Sequence, residues 1–332
     1  MINIDMFSLV EMSKSVNLIP YVYGRLIAMG LFTPRPITTR TVVIERQHNV
    51  LRLLGTQPRG SDGKVSEHGK RDALTFSVPY IPLTDLILPE EYAGKRLFGS
   101  DDQLETEQTV MLRKLTNNRI KFEITWEYLR WGALKGIIYD ADGSTVLCNL
   151  FTAFGYSQET FDFALDNDAT DVSKKCRELS RYMEMHLEGD VSTGTHVFVA
   201  SDFFDALVAH PMVDKYFLNW QAAAQAQGKD PRKSFTFEGI TFEDCMGQAT
   251  KPNGETVKFV ADGQGHAIPL GTMSTFDWYM APGDFLETVN TPGVELYAKA
   301  KLRDYEKGVD IHMESNVLPM CTRPKLLPKL TK

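Results

Sequence analysis

The residues that could support chemistry are few, and their spacing argues against the familiar catalytic loops. Gly63-Lys64 is the closest approach to a phosphate-binding loop, but Val65 follows the lysine and Pro58 stands where the opening glycine belongs. Gly263-Gln264-Gly265 lacks the third glycine of a dinucleotide fingerprint, with Ile268 in its place. Neither a G-x-S-x-G elbow nor an H-E-x-x-H pair occurs. A triad assembled in space from distant residues remains open, because such triads carry no fixed order in sequence.

Metal-ligand chemistry fares little better. Asp140-Ala141-Asp142-Gly143 opens like a calcium loop but lacks the third ligand before the glycine and the closing glutamate, so it reads as a tight hairpin turn. Asp162, Asp166, Asp168 and Asp171 could gather a divalent ion. They read better as a solvated loop ending in acids that favour a helix N-terminus. His186, His196 and Cys176 match no zinc spacing. No metal, cofactor or catalytic residue is assigned. Cys148, Cys176, Cys245 and Cys321 lie far apart with no C-x-x-C pair, as expected of reduced and mostly buried thiols.

The bulk properties fit a globular protein of roughly two domains at about 100–200 residues each. The chain has 332 residues, 43% of them hydrophobic, and a net charge of −7, so its affinity does not come from clustered phosphate-gripping Lys and Arg. No run reaches the roughly 18 apolar residues of a membrane helix. Met1-Ile2-Asn3-Ile4-Asp5 places an acid where a secretion signal carries lysines, which predicts a protein made and kept in a cytoplasm.

The elements that would hold any site are legible in part. Thr33-Pro34-Arg35-Pro36 ends a mixed amino-terminal segment and favours extended chain; Tyr21 to Leu31 could form a short helix, weakened by Gly24 and Gly30. Arg40 to Leu54 and Ala73 to Leu83 read as strands of a long arm, joined by the glycine-rich stretch Gly55 to Asp72. An isolated hairpin is marginal in water, so this arm must lie on something. Asp101 to Gly136 reads as a long helix capped by Asp101 or Asp102, with Leu104, Met111, Leu115, Phe122, Trp126 and Leu129 on one face. Ile120 to Tyr128 also alternates like a strand, and Asn117-Asn118 could interrupt the helix.

Beyond it come a hairpin over Gly136 to Phe154, a helix from Val172 to Leu187, a strand His196 to Ala200 and a helical region Ser201 to Ala226 broken at Pro211. Short strands are expected at Ser234–Phe242, Thr256–Val260 and Gly265–Thr272, then a helical piece Val294 to Leu302, a strand Val309 to Glu314 and a proline-rich tail. Helix and strand mix without regular alternation, which predicts an α+β fold. Aromatic clusters at Phe151/Phe154/Tyr156, Phe161/Phe163, Phe203/Phe204, Tyr216/Phe217/Trp220 and Phe276/Trp278/Tyr279 fit a core or subunit contacts.

Certain words stand in a telling order. They include Leu18-Ile19-Pro20-Tyr21-Val22-Tyr23-Gly24-Arg25, Thr39-Arg40-Thr41-Val42-Val43-Ile44-Glu45 and Phe76-Ser77-Val78-Pro79-Tyr80-Ile81-Pro82. Leu134-Lys135-Gly136, the Tyr139 to Gly143 turn and Glu314-Ser315-Asn316-Val317-Leu318-Pro319-Met320-Cys321-Thr322-Arg323-Pro324 complete them. In this order, and across essentially the whole length, the chain resembles the major capsid proteins of tailed bacteriophages, in the lambda-type capsid protein E family.

The resemblance implies the Hong Kong 97 capsid fold. An amino-terminal arm would take residues 1–39, an extended β-hairpin loop 40–83 and a peripheral domain 84–188 with a spine helix at 102–136. An axial domain would take 189–289, and 290–332 would return to the peripheral domain. The implied function is a major head protein that self-assembles into hexamers and pentamers, forming the icosahedral shell around phage DNA in the virion after synthesis in the bacterial cytoplasm. Implied partners are copies of itself, a portal, and a scaffold or decoration protein; DNA is met only by weak, non-specific proximity, and no membrane is involved. The arm's greasy face would then be covered by a neighbour, through Val42, Ile44, Val50, Leu53, Phe76, Val78 and Tyr80, with Arg35 and Arg40 beside them. Its tip would carry Arg59, Lys64, His68, Lys70 and Arg71, with no crosslink expected at Lys64 or Lys70. A tail or decoration protein would instead form tubes or trimers, and a cytoplasmic hydrolase would show saturable turnover.

Overall fold

The computed structural model describes residues 8–19, 21, 24–47, 71–91, 93, 106–226 and 234–332. Helix α1 (Leu9–Asn17) starts at Ser8, whose hydroxyl accepts from the Glu11 amide. The helix expected over Tyr21 to Leu31 shrinks to one turn, α2 (Arg25–Ala28), which follows Gly24 at φ +133°. The two prolines do impose extended chain: β1 (Thr33–Pro36) is an edge strand, where a missing N–H costs nothing.

The arm is real but shorter than expected. Strands β2 (Thr41–Gln47) and β3 (Arg71–Ser77) pair antiparallel from Thr41↔Ser77 out to Gln47↔Arg71. The second expected strand is split at Val78–Tyr80, and β4 (Ile81–Ile87) joins a different sheet. Pro79 lies in the break and cannot donate to a ladder.

Helix α3 (Glu107–Lys135) runs 29 residues, about 43 Å at 1.5 Å per residue. Thr106, not Asp101 or Asp102, provides its cap; those two aspartates lie outside the described residues. Asn117-Asn118 does not interrupt it, because Asn118 is buried and donates to Asp85 at 2.9 Å. Gly136 ends it at φ +83°, where a Cβ would enter the Phe151 ring.

The hairpin after it, β5 (Ile137–Tyr139) with β6 (Val146–Asn149), ends earlier than expected, since Asn149 caps a short α4 (Leu150–Phe154). Next come β7 (Thr160–Asp162) and α5 (Val172–Met185), the latter capped by Asp171 on the Lys174 amide. Strand β8 (Gly194–Val199) leads to α6 (Ser201–Ala209) and α7 (Asp214–Ala226), broken around Pro211 as expected. The single strand expected over Ser234–Phe242 is a hairpin, β9 (Ser234–Phe237) and β10 (Ile240–Asp244), turned by Glu238 and Gly239, both at positive φ.

Strands β11 (Gln248–Thr250), β12 (Thr256–Lys258), β13 (Gln264–Leu270) and β14 (Phe276–Met280) follow. Residues expected as a helix over Val294 to Leu302 form β15 (Tyr297–Leu302) instead, paired along its length with β16 (Val309–Ser315). The tail holds β17 (Val317–Cys321) and β18 (Lys329–Thr331).

The result is α+β. A six-stranded sheet runs β7-β18-β13-β8-β10-β9, and two three-stranded sheets run β1-β14-β17 and β15-β16-β4. Two cores form. One surrounds α3 and includes Trp126, Trp131, Phe276 and Met313. The other joins α5, α6 and the six-stranded sheet through Phe163, Phe203, Leu179 and Phe242. Helix α5, on the 84–188 side of the expected division, therefore packs with the 194–244 strands. The tail also crosses that division, because β16 lies on the first core while Leu330 of β18 is in the second.

Candidate assembly surfaces

The arm's root is the first surface to test. Val42 and Ile44 share a face with their partners Phe76 and Leu74. That face is covered by the chain's own body: Val42 is 3% exposed, Phe76 is 8% exposed, and the Phe76 ring stacks on Phe154 of α4 at 6.2 Å. This corrects the expectation that Val42 and Phe76 await a neighbour. Ile44, Leu74 and Val78 are half-buried against the same core. The opposite face, with Thr41, Val43, Ala73, Thr75 and Ser77, is exposed. Val50, Leu53, Arg59, Lys64, His68 and Lys70 lie outside the described residues, and Arg71 is described only in its backbone pairing with Gln47.

The remaining expected contact residues sit at the arm's root with partners of their own. Arg35 Nε donates to Asp277 at 3.2 Å, and Asp277 also accepts from the Tyr279 hydroxyl at 3.1 Å. Arg40 pairs with Asp284 at 2.5 Å, both exposed, and its carbonyl accepts from the Val78 amide. Tyr80 is half-exposed, and its phenol is raised by burial and by Glu314.

A feature that the hydrophobic pattern does not show lies under α3. Arg119, Glu123, Glu127 and Arg130 recur at helical spacing on its buried face, each 3% exposed or less. Arg119 donates to Glu123 at 3.1 Å and to the Val16 carbonyl at 2.7 Å. Glu127 accepts from the Leu26 amide at 2.9 Å, though burial raises its carboxyl. The Arg130 guanidinium lies 3.8 Å over the Trp278 ring. The Tyr21 hydroxyl donates to Glu295, and its ring lies beneath Arg119. These contacts hold the amino-terminal segment to the helix. The usable sequence signal was charged residues at i, i+4, i+8 interleaved with Phe122 and Trp126, which a search for apolar faces passes over.

A second polar tie reaches the six-stranded sheet. Arg25 grips Glu243 with two bonds of 2.6 and 2.7 Å, and His196 Nε2 lies 3.0 Å from the same carboxylate. Burial alone raises Glu243, but the bonds from Arg25 and His196 outweigh it and bring the carboxyl down to about 2.

The candidate metal ligands are not brought together. Asp171 caps α5, Asp162 accepts from the Ala164 amide, and Asp142 clamps its turn through Ser144 and Thr145. His186 contacts the Tyr182 carbonyl, while His196 belongs to the Glu243 pair. Among the described residues no three His, Cys, Asp or Glu are placed to hold a metal ion. The four cysteines are unbridged, and burial pushes the Cys148 thiol up to about 11 and Cys176 up to about 12. Among the described residues no helix is long and apolar enough to cross a membrane.

Comparison with known proteins agrees with this architecture. Residues 8–332 match the family described as phage major capsid protein E. The major capsid protein of Salmonella phage Felix O1 is 32% identical, over 97% of this chain and 95% of its own. That of Pseudomonas phage KPP10 is 28% identical, over 97% and 96%. Among solved structures, the mature capsid of bacteriophage PhiM1 aligns with a TM-score of 0.54 at 12% identity, covering 94% of this chain and 88% of its own. The capsid of Ralstonia phage GP4 aligns at 0.53 and 10% identity, covering 94% and 93%. At such low identity these two speak for the fold alone, which is the Hong Kong 97-like capsid fold. With its sequence matched from Ser8 to the last residue, the chain belongs to the phage major capsid protein E family.

Proposed function

We propose that this chain builds the shell of a tailed phage head, assembling with copies of itself into hexamers and pentamers on an icosahedral lattice around packaged DNA. The observation that carries the reading is the match to major capsid proteins over nearly all of both chains. The role is structural rather than catalytic. A portal and a scaffold or decoration protein complete the set of partners, and the virion is the destination after synthesis in the bacterial cytoplasm. The net charge of −7 suits a wall that meets DNA without gripping it.

The division of labour follows the elements. Residues 1–39 serve as the arm, α3 as the spine of the peripheral domain, and the region around 189–289, together with α5, as the axial domain. Because the root of β2–β3 is already seated on α4, contact with a neighbour falls to the exposed Val43 face and to residues 48–70 that follow it in the chain. Each such contact is head-to-tail, so a ring of them can close.

Purified protein viewed by electron microscopy, alone and with a scaffold, should show closed particles or rings. Replacing residues 50–68 with a two-residue Asn-Gly turn keeps the described pairs in register. That variant should keep its circular dichroism spectrum yet give at least about tenfold fewer particles, since a contact repeated around a lattice multiplies. Particles in normal yield would overturn the arm's role.

A further inference from the structure

Helix α5 buries Val172, Cys176, Leu179 and Met183 and turns its opposite face to water. Lys174, Arg181 and Met185 follow the outermost line of that face, at steps of seven and four residues, with Arg177 and Glu178 beside them. Eleven steps of about 1.5 Å make the line about 16 Å long. Its cations are only weakly engaged within the molecule. Lys174 lies 3.9 Å from Glu178 and Arg177 lies 3.6 Å from Glu238, with all four side chains partly or well exposed. Arg181 is exposed and has no carboxylate partner among the described residues. Met185 adds apolar surface to the same line, at 76% exposure.

The loop that leads into α5 carries the opposite charge on a fixed frame. Asp162, Asp166, Asp168 and Asp171 are all exposed, while Phe163 and Leu165 between them are buried in the second core. The Thr170 hydroxyl donates to the Ala164 carbonyl at 2.9 Å, and Asn167 Oδ1 accepts from the Ala169 amide at 3.1 Å. His210 Nε2 lies 3.2 Å from the Asn167 carbonyl and ties the loop to the end of α6. Asp162 and Asp171 have local work, on the Ala164 and Lys174 amides. Asp166 and Asp168 take no part in this frame, and neither pairs with a cation among the described residues.

We propose that the outer face of α5 in one copy docks head-to-tail against the Asp162–Asp171 loop of the next, with Lys174 and Arg181 set against Asp166 and Asp168. The inference rests on the shell reading and names one of its contacts. A ring closes through two different patches on each chain, and these two are complementary in charge. At −7 the copies repel one another overall, so attraction between them needs a local match of opposite sign. The same net charge disfavours DNA as the occupant of so short a cationic line.

The test uses the full chain in three variants: Lys174→Glu with Arg181→Glu, Asp166→Lys with Asp168→Lys, and all four substitutions together. Each is first checked for an unchanged circular dichroism spectrum. Either pair alone should give at least about tenfold fewer particles by electron microscopy, since like charges then face one another. The fourfold exchange should restore the yield. An equal mixture of the two paired variants should recover six-membered rings, in which the two chains alternate. Normal particles from either pair overturn the proposal, and so does recovery in neither the exchange nor the mixture. Weaker binding of a labelled DNA duplex by the Lys174→Glu, Arg181→Glu chain, with particles unaffected, would assign the face to DNA and overturn it too. An unmodified chain that forms no particles even with a scaffold would instead refute the shell reading itself, and this contact with it.

Discussion

The two cores of this molecule are stabilised in different ways. Every buried acid and guanidinium among the described residues, Arg119, Glu123, Glu127, Arg130, Asp277 and Glu314, lies around α3 and the strands packed on it. The core between α5, α6 and the six-stranded sheet is filled by Phe163, Phe203, Phe235, Phe242 and aliphatic neighbours. Apolar burial is non-directional: it rewards area but accepts many arrangements. A buried charge tolerates only the arrangement that supplies its partners. The sheet core is held by apolar burial, whereas the helix core adds buried charges to its own apolar packing and so specifies where the amino-terminal segment must lie. Val16 and Leu26 of that segment are held by backbone groups bonded to Arg119 and Glu127.

The largest effects would come from the cores themselves. Arg119→Met removes the buried ion pair with Glu123 and should cost about 3–5 kcal/mol, while Arg119→Met with Glu123→Met together should recover much of it. Phe203→Ala in the other core should cost a similar ~3–5 kcal/mol through its cavity. Denaturant melts measure both, and hydrogen exchange at α1 separates them. Only Arg119→Met should release the segment well before global unfolding. A double variant no more stable than the single ones would break the contrast.

A smaller effect tests the tie between the regions. The Glu243 carboxyl is depressed to about 2 by its partners, so its contribution is fully present above its ordinary value near 4.5 and fades as pH falls toward 2. Arg25→Met should raise the Glu243 midpoint and flatten the acid limb of stability against pH, read by carboxyl NMR titration. An unchanged midpoint would show that Arg25 contributes nothing to it. The smallest effect sharpens the comparison at the helix ends: Thr106→Ala on α3 and Asp171→Ala on α5 should each cost about 1 kcal/mol by thermal melting. A much larger loss at Thr106 would mean that the cap also positions the chain before α3.

Local signals carried the sequence reading furthest. Gly136 ending α3, Asp171 opening α5, Pro211 dividing α6 from α7 and the Asp140–Gly143 turn all act within a few residues, and all were legible. Where the signal was non-local, the reading failed. Ala298-Lys299-Ala300-Lys301-Leu302 are good helix formers, yet they form β15 because β16 offers a full ladder and propensity is worth only tenths of a kcal/mol per residue. The arm's greasy root looked orphaned because its cover, Phe154, lies far along the chain and depends on the Asn149 and Gly155 caps to be presented.

What the sequence alone determined is therefore the α+β class, the long helix, the hairpin arm and membership of a capsid family, all written in short-range pattern and ordered words. Tertiary structure alone decided which charges are buried beneath α3, which face of the arm is already covered, and how β18 reaches the six-stranded sheet. Those depend on residues tens to hundreds of positions apart. Burial and hydrogen bonding act on distance in space, which no local pattern records.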